Sequence, residues 1–260
     1  MPPRIHIDTP LSAGTLLALP ANAARHVQVL RLQPGAPLTL FDGHAGEWSA
    51  EVVEMGRKTV TAQVLAHRAI ERELATPVTL ALGMPANERM DGLVEKATEL
   101  GVAAVQPLVC ERSVLRVAGE RAERKAAHWQ AIAVAACEQS GRNRVPAVGV
   151  ATTFSDWLAA QAVGAGPTTR LVLSLDADAR SLVDTLLDML ADAPRGLQPG
   201  APGQPPVLVL SGPEGGLSPA ELAAARAAGF RPVTLGARVL RADTAPLALL
   251  AVVAALESRA

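Results

Sequence analysis

The chain has 260 residues, 49% of them hydrophobic, and a formal charge of −1 at neutral pH. That length and apolar content suffice for a sizeable core and two domains, while the near-zero charge excludes a basic field over the whole molecule, so any nucleic-acid site has to be a local patch. Two cysteines, Cys110 and Cys137, exclude a disulfide framework and lie in no zinc-binding spacing, which leaves them as reduced core thiols.

Charges and prolines within residues 1–10 interrupt the unbroken apolar run that a secretory signal requires. The longest apolar stretch, 244–256, is too short to span a bilayer and contains Pro246. A cytoplasmic protein with no membrane segment is therefore expected.

In chain order, residues 1 to about 70 alternate short apolar runs (37–41, 48–53 and 59–65) with the turn signals Gln33-Pro34-Gly35 and Asp42-Gly43. That spacing predicts a small antiparallel β domain or barrel. Charged residues 68–73 and Thr76-Pro77 break the pattern, placing a boundary near residue 74 and two domains, 1–74 and 75–260.

Beyond the boundary, 78–82 reads as a buried strand, and Met90, Leu93, Val94, Ala97 and Leu100 recur at helical spacing up to Gly101. Strand-like 104–109, a helix over 120–140, an extended 145–150, a helix over 155–162 and a strand over 171–175 follow. Such alternation predicts an α/β domain whose sheet is mostly parallel. Between Ala191 and Pro206 the sequence is rich in Pro and Gly without apolar period, which predicts a mobile surface loop.

The run 207–210 (Val-Leu-Val-Leu) is continuous, as in a central strand covered on both faces, and empties into Ser211-Gly212-Pro213-Glu214-Gly215-Gly216. Glycines there let a ligand approach main-chain groups closely. Ser218, Pro219 and Glu221 form a capping-box signature, predicting a helix to about Ala228. A strand over 233–235, a second loop Gly236-Ala237-Arg238-Val239-Leu240-Arg241, and a nearly all-apolar helix from about Thr244 complete the chain.

Neither loop carries GxGxxG, and GxxxxGK[ST] does not occur, so the usual phosphate cradles of nicotinamide and triphosphate sites are missing. HExxH and GxSxG are absent as well, and His6, His26, His44, His67 and His128 lack ligand spacing, so no metal is expected. With no tyrosine and few other aromatics, a base-stacking platform across a sheet is not expected.

Together, the Gly212-Pro213-Glu214-Gly215-Gly216 loop and the segment Leu235-Gly236-Ala237-Arg238-Val239-Leu240-Arg241-Ala242-Asp243-Thr244-Ala245 resemble the two knot motifs of the 16S rRNA uracil-N3 methyltransferases of the SPOUT class. The resemblance extends to Glu95-Lys96-Ala97-Thr98-Glu99-Leu100-Gly101-Val102, to Glu138-Gln139-Ser140-Gly141-Arg142, and to residues 26–35 with Phe41-Asp42-Gly43, so it covers nearly the whole chain. The chain departs from the family in having Arg241-Ala242-Asp243 where Arg-Thr-Glu is usual, which keeps the acid but shortens it, and in lacking a lysine near Ala86.

This resemblance implies a PUA-like β-barrel that binds RNA, followed by a SPOUT domain with a deep C-terminal trefoil knot, working as a homodimer on 16S rRNA of the small ribosomal subunit. It implies S-adenosylmethionine held by Leu173, Gly212, Pro213, Glu214, Gly215, Gly216, Leu235, Gly236, Val239, Leu240, Arg241, Thr244 and Ala245. Arg241 and Asp243 become the catalytic candidates, with Arg238 nearby. For RNA, the family motifs favour Arg4, His26, Arg31, Arg112 and Arg142, with Arg25, Arg116 and Arg144 as further cations. A related enzyme acting on transfer RNA and a noncatalytic RNA-binding assembly factor are the alternatives.

Overall fold

The computed structural model describes residues 2–161, 168–191 and 205–258. The chain divides into two compact units: residues up to Glu73 together with Val134–Val145, and Leu74–Ala133 together with residues from Pro146 onward.

In the first unit, strands β1 (Arg4–His6), β2 (Leu16–Ala18), β3 (Pro37–Phe41), β4 (Glu47–Met55) and β5 (Val60–Arg68) form a sheet in the order β1-β3-β4-β5-β2. The β1/β3 pair is parallel and the other pairs are antiparallel. Alternate residues Leu38, Leu40, Ala50, Val52, Val60, Ala62 and Val64 point into one core with Ile5 and Ile7, as the two-residue period of a half-buried strand requires.

Helix α1 (Ala21–Val29) adds Ala23, Ala24 and Val27 to that core. The spacing of apolar runs predicts only strands here. The helix buries three small or β-branched residues and has no side-chain cap at Pro20, so neither its period nor its ends announce it.

The second unit holds β6 (Val78–Gly83), α2 (Asn87–Glu99), β7 (Ala104–Val109), most of α3 (Gly119–Ser140), β8 (Ala147–Val148), β9 (Thr152–Thr153), α4 (Phe154–Gln161) and β10 (Thr169–Leu173). It continues with β11 (Arg180–Ser181), α5 (Leu182–Ala191), β12 (Val207–Ser211), α6 (Pro219–Ala227), β13 (Arg231–Thr234) and α7 (Thr244–Glu257). The sheet runs β11-β13-β10-β12-β6-β7-β8, with β9 also on β7, and every described pair is parallel. Strand β12 is buried along its whole length, which is why it reads as an uninterrupted apolar run. Strand β13, the last in sequence, lies between β10 and β11 although both precede it.

Two differences from the sequence reading stand out. Residues 134–145, expected within a second domain of 75–260, belong to the first unit. The pair β11 and α5 is a further addition: the two-residue strand is too short to show a period, whereas α5 carries a readable one, with Leu182 and Leu186 buried at helical spacing. The surface loop expected between Ala191 and Pro206 lies, from 192 to 204, outside the described residues, as does the end of the helix expected to reach 162.

Candidate functional site

The C-terminal ends of β10, β12 and β13, three adjacent strands, open onto a cavity of about 510 Å³. This lies in the range of about 300–1,000 Å³ usual for small-molecule sites, at the edge of a parallel sheet where such sites concentrate.

Both glycine loops line it. Gly212, Pro213, Glu214 and Gly216 come from the first, Leu235, Gly236, Val239, Leu240 and Arg241 from the second, and Leu173 and Ala245 complete the overlap with the residues expected to hold a cofactor. Gly216 and Gly236 have φ of +69° and +107°, angles that cost other residues energy. Gly215 and Thr244 are not among the lining residues; Gly215 backs onto Arg112, and Thr244 is exposed in the first turn of α7.

The loops are held from several sides. A Cβ on Gly83, at the end of β6, would sit 2.5 Å from Pro213 N, so the absent side chain is what admits the loop. Glu214 accepts from Ala86 N at 3.1 Å, satisfying an N–H at the start of α2, and lies 3.6 Å from Arg89. Ser218 and Glu221 form the anticipated capping box, and Glu221 also accepts from Glu111 N at 2.8 Å.

Arg238 and Arg241 line the cavity, both exposed, whereas Asp243 does not line it. Asp243 stands at the N-cap of α7 without a side-chain capping bond, and its Oδ1 is buried with no hydrogen-bond partner. Arg89, Ser174, Asp176, Leu217 and Leu222 also line the cavity and were not anticipated. Ser174 and Asp176 had a readable signal, since they directly follow the end of a core strand. Arg89 had none.

The RNA candidates separate by burial. Arg4 is 7% exposed and donates to Glu47 at 2.5 Å, to Asn143 Oδ1 at 2.5 Å and to the Arg142 carbonyl at 3.1 Å. Arg142 is 3% exposed and forks onto Glu73. Arg4 and Arg142, expected on the family motifs to contact RNA, thus have both guanidiniums enclosed and paired inside the first unit, where withdrawing either would strand a buried carboxylate. Arg112 is exposed but donates to the Gly215 carbonyl at 3.1 Å.

His26 lies 3.6 Å from Glu138 and is partly exposed. Arg31, at φ +54° just past α1, is exposed, and its side chain makes no hydrogen bond or ion pair among the described residues. Arg25 is exposed, Arg116 donates to the Glu111 carbonyl at 2.6 Å, and Arg144 pairs with Glu71 at 3.3 Å. Among the described residues no group of side chains is arranged to hold a metal ion, and no helix is long and apolar enough to cross a membrane.

The family model of an RNA methyltransferase domain matches residues 72–254, and that of an RNA methyltransferase PUA domain matches residues 19–65. A ribosomal RNA small subunit methyltransferase E from Synechocystis is 36% identical over 229 residues, covering 88% of this chain and 69% of its own length. The chain belongs to the ribosomal RNA small subunit methyltransferase E family. The Mycobacterium bovis member is 33% identical over 258 residues, 98% of this chain and 92% of that protein.

Among solved structures, the family member from Neisseria gonorrhoeae, bound to S-adenosyl methionine, has 34% identity, a TM-score of 0.83 and coverage of 98% of both chains. A methyltransferase from Legionella pneumophila in complex with the bound cofactor SAM has 32% identity, a TM-score of 0.84 and the same coverage.

Proposed function

We propose that this chain transfers a methyl group from S-adenosylmethionine to N3 of a uridine in 16S rRNA of the small ribosomal subunit. The observation that carries the reading is the cavity where both glycine loops meet the ends of β10, β12 and β13, with Arg241 at its lining.

The residues present suit that cofactor. A cavity of about 510 Å³ with glycine-rich walls offers main-chain N–H and C=O groups to an adenosine. Leu173, Gly212, Pro213, Gly216, Leu235, Gly236, Val239, Leu240 and Ala245 would hold it, with Glu214 fastening the first loop to α2. When bound, the cofactor supplies an electrophilic methyl on a sulfonium.

The chain's own part is then to align a uridine and to favour loss of its N3 proton to solvent as the new N–CH3 bond forms. A cation beside the base would stabilise the imide anion; that role is read as Arg241's, with Arg238 as the neighbouring charge, and is supported by both residues lining the cavity. Asp243 is proposed to act through the orientation of the Arg241–Thr244 turn, in which Thr244 N donates to the Arg241 carbonyl at 3.0 Å. R241A is expected to lose methyl transfer by about 100-fold or more while S-adenosylmethionine binding persists, as for removal of a preorganised charge; undiminished turnover would rule Arg241 out.

The wider architecture follows the same reading. Residues 1–74 form a PUA-like barrel that binds RNA, supported by the five-stranded sheet and by exposed Arg31 and Arg25. The second unit, Leu74–Ala133 with the described residues from Pro146 onward, is read as a SPOUT domain with a trefoil knot, supported by β13 lying between two earlier strands. The enzyme is read as acting in the cytoplasm as a homodimer, the latter supported by α7, whose apolar Ala251 and Ala255 are exposed.

The decisive experiment incubates the protein with labelled S-adenosylmethionine and small subunits lacking the modification, followed by nucleoside mass spectrometry. 3-Methyluridine is the expected product. A different methylated nucleoside, or transfer only to transfer RNA, would overturn the substrate assignment.

A further inference from the structure

Arg112 leaves the end of β7 and lies along the first glycine loop. Its Nη1 donates to the Gly215 carbonyl at 3.1 Å and reaches the Leu217 carbonyl at 3.5 Å. The stem is as close as the head: a Cβ on Gly215 would lie 3.0 Å from Arg112 Cβ and 3.4 Å from its carbonyl oxygen. The preceding residue grips the far end of the loop, because Glu111 N donates to Glu221, whose other oxygen accepts from Ser218 N at 2.9 Å. Residues 111 and 112 thus hold both the loop and the start of α6.

This contact has a consequence for binding. A loop with three glycines in five residues, Gly212, Gly215 and Gly216, samples many backbone conformations when nothing holds it. A ligand that binds only one of them loses affinity in proportion to the fraction of time the others are occupied. Arg112 makes no other side-chain hydrogen bond or ion pair among the described residues, so its recorded bonds all go to this loop.

We propose that Arg112 is a positioning residue for the cofactor loop, keeping Gly212–Leu217 in the conformation that walls the cavity, and not simply an RNA phosphate contact. The proposal rests on the reading of this cavity as the S-adenosylmethionine site. Its signature is an effect on cofactor affinity in the absence of any RNA.

The test is calorimetric titration of S-adenosylmethionine into RNA-free wild type, R112A, R112K and G215A, with thermal unfolding of each. R112A is expected to raise Kd about 10-fold, the factor for a loop in which competent conformers have become one in ten. R112K, which keeps the charge on a shorter side chain, is expected to recover part of the loss. G215A keeps the arginine but presses a methyl against its Cβ, 3.0 Å away, so it is expected to shift the contact by a few tenths of an ångström and weaken binding with Arg112 unsubstituted, which preserves the test if R112A folds poorly. Wild-type cofactor affinity in R112A and G215A, with rRNA affinity alone reduced in R112A, would overturn the proposal. Failure of the wild type to bind S-adenosylmethionine would instead overturn the cofactor reading beneath it.

Discussion

Glu47 shows how one carboxylate organises the first unit. It is 5% exposed and accepts from Arg4 at 2.5 Å and from Arg72 at 3.1 Å. Burial pushes its pKa upward, but the two guanidinium bonds outweigh burial and hold it below the usual carboxylate range. A depressed folded-state pKa means that this stabilisation is complete above the ordinary glutamate value of about 4.3 and is lost as pH falls through the lower folded value. E47A strands the buried Arg4 charge and is expected to cost about 3–5 kcal/mol, measured by urea unfolding at neutral pH; the difference from wild type should shrink in acid. A difference that stays constant down to acid unfolding would argue against this pairing. Cys110 and Cys137 make a second case at this scale: burial raises each thiol to about 12. Native protein should resist iodoacetamide at neutral pH and react at both thiols once unfolded, which mass spectrometry would read directly.

At the scale of elements, the ends matter more than the middles. Ser218 is 2% exposed and accepts from Glu221 N at 3.2 Å, so S218A should cost about 1 kcal/mol and lower the melting temperature by about 2–4 °C. Gly83 ends β6 against Pro213. G83A is expected to displace the first glycine loop and weaken S-adenosylmethionine binding in calorimetry far more than it lowers the melting temperature; intact affinity would show that the loop tolerates the shift. The capping box was readable because Ser218, Pro219 and Glu221 adjoin one another in sequence. The Gly83–Pro213 contact was not, since one missing Cβ matters only once β6 and β12 pair in register.

On the scale of the whole molecule, helix α7 leaves part of an apolar surface exposed. A helix without a polar stripe should be covered on every side, yet Pro246, Leu249, Leu250 and Val253 are buried while Ala251 and Ala255 are exposed. The proposed homodimer would cover that face with a second copy. A251E should therefore shift sedimentation from dimer to monomer, and a wild type already monomeric at micromolar concentration would refute the dimer. For RNA, the net charge of −1 puts the burden on local cations such as Arg31. R31A should weaken rRNA binding and lower the slope of log affinity against log salt by about 0.7–0.9, with S-adenosylmethionine affinity unchanged.

The alternation of strands and helices after residue 74, the two glycine loops and the cap between them were legible in the sequence alone, because each depends on neighbours along the chain. The residues expected to hold a cofactor came instead from the family resemblance, and the cavity adds Arg89, Ser174, Asp176, Leu217 and Leu222 to them. Only the tertiary structure decided that Arg4 and Arg142 are enclosed. An arginine reads identically in sequence whether it faces solvent or a carboxylate, and the partners lie 43 and 69 residues away. The same reason applies to residues 134–145, drawn into the first unit by bonds such as Arg72 to the Gly141 carbonyl at 2.9 Å, and to Arg89 and Arg112 beside the first glycine loop. Periodicity records which face of an element is buried; which distant charge meets it is settled only when the chain has closed.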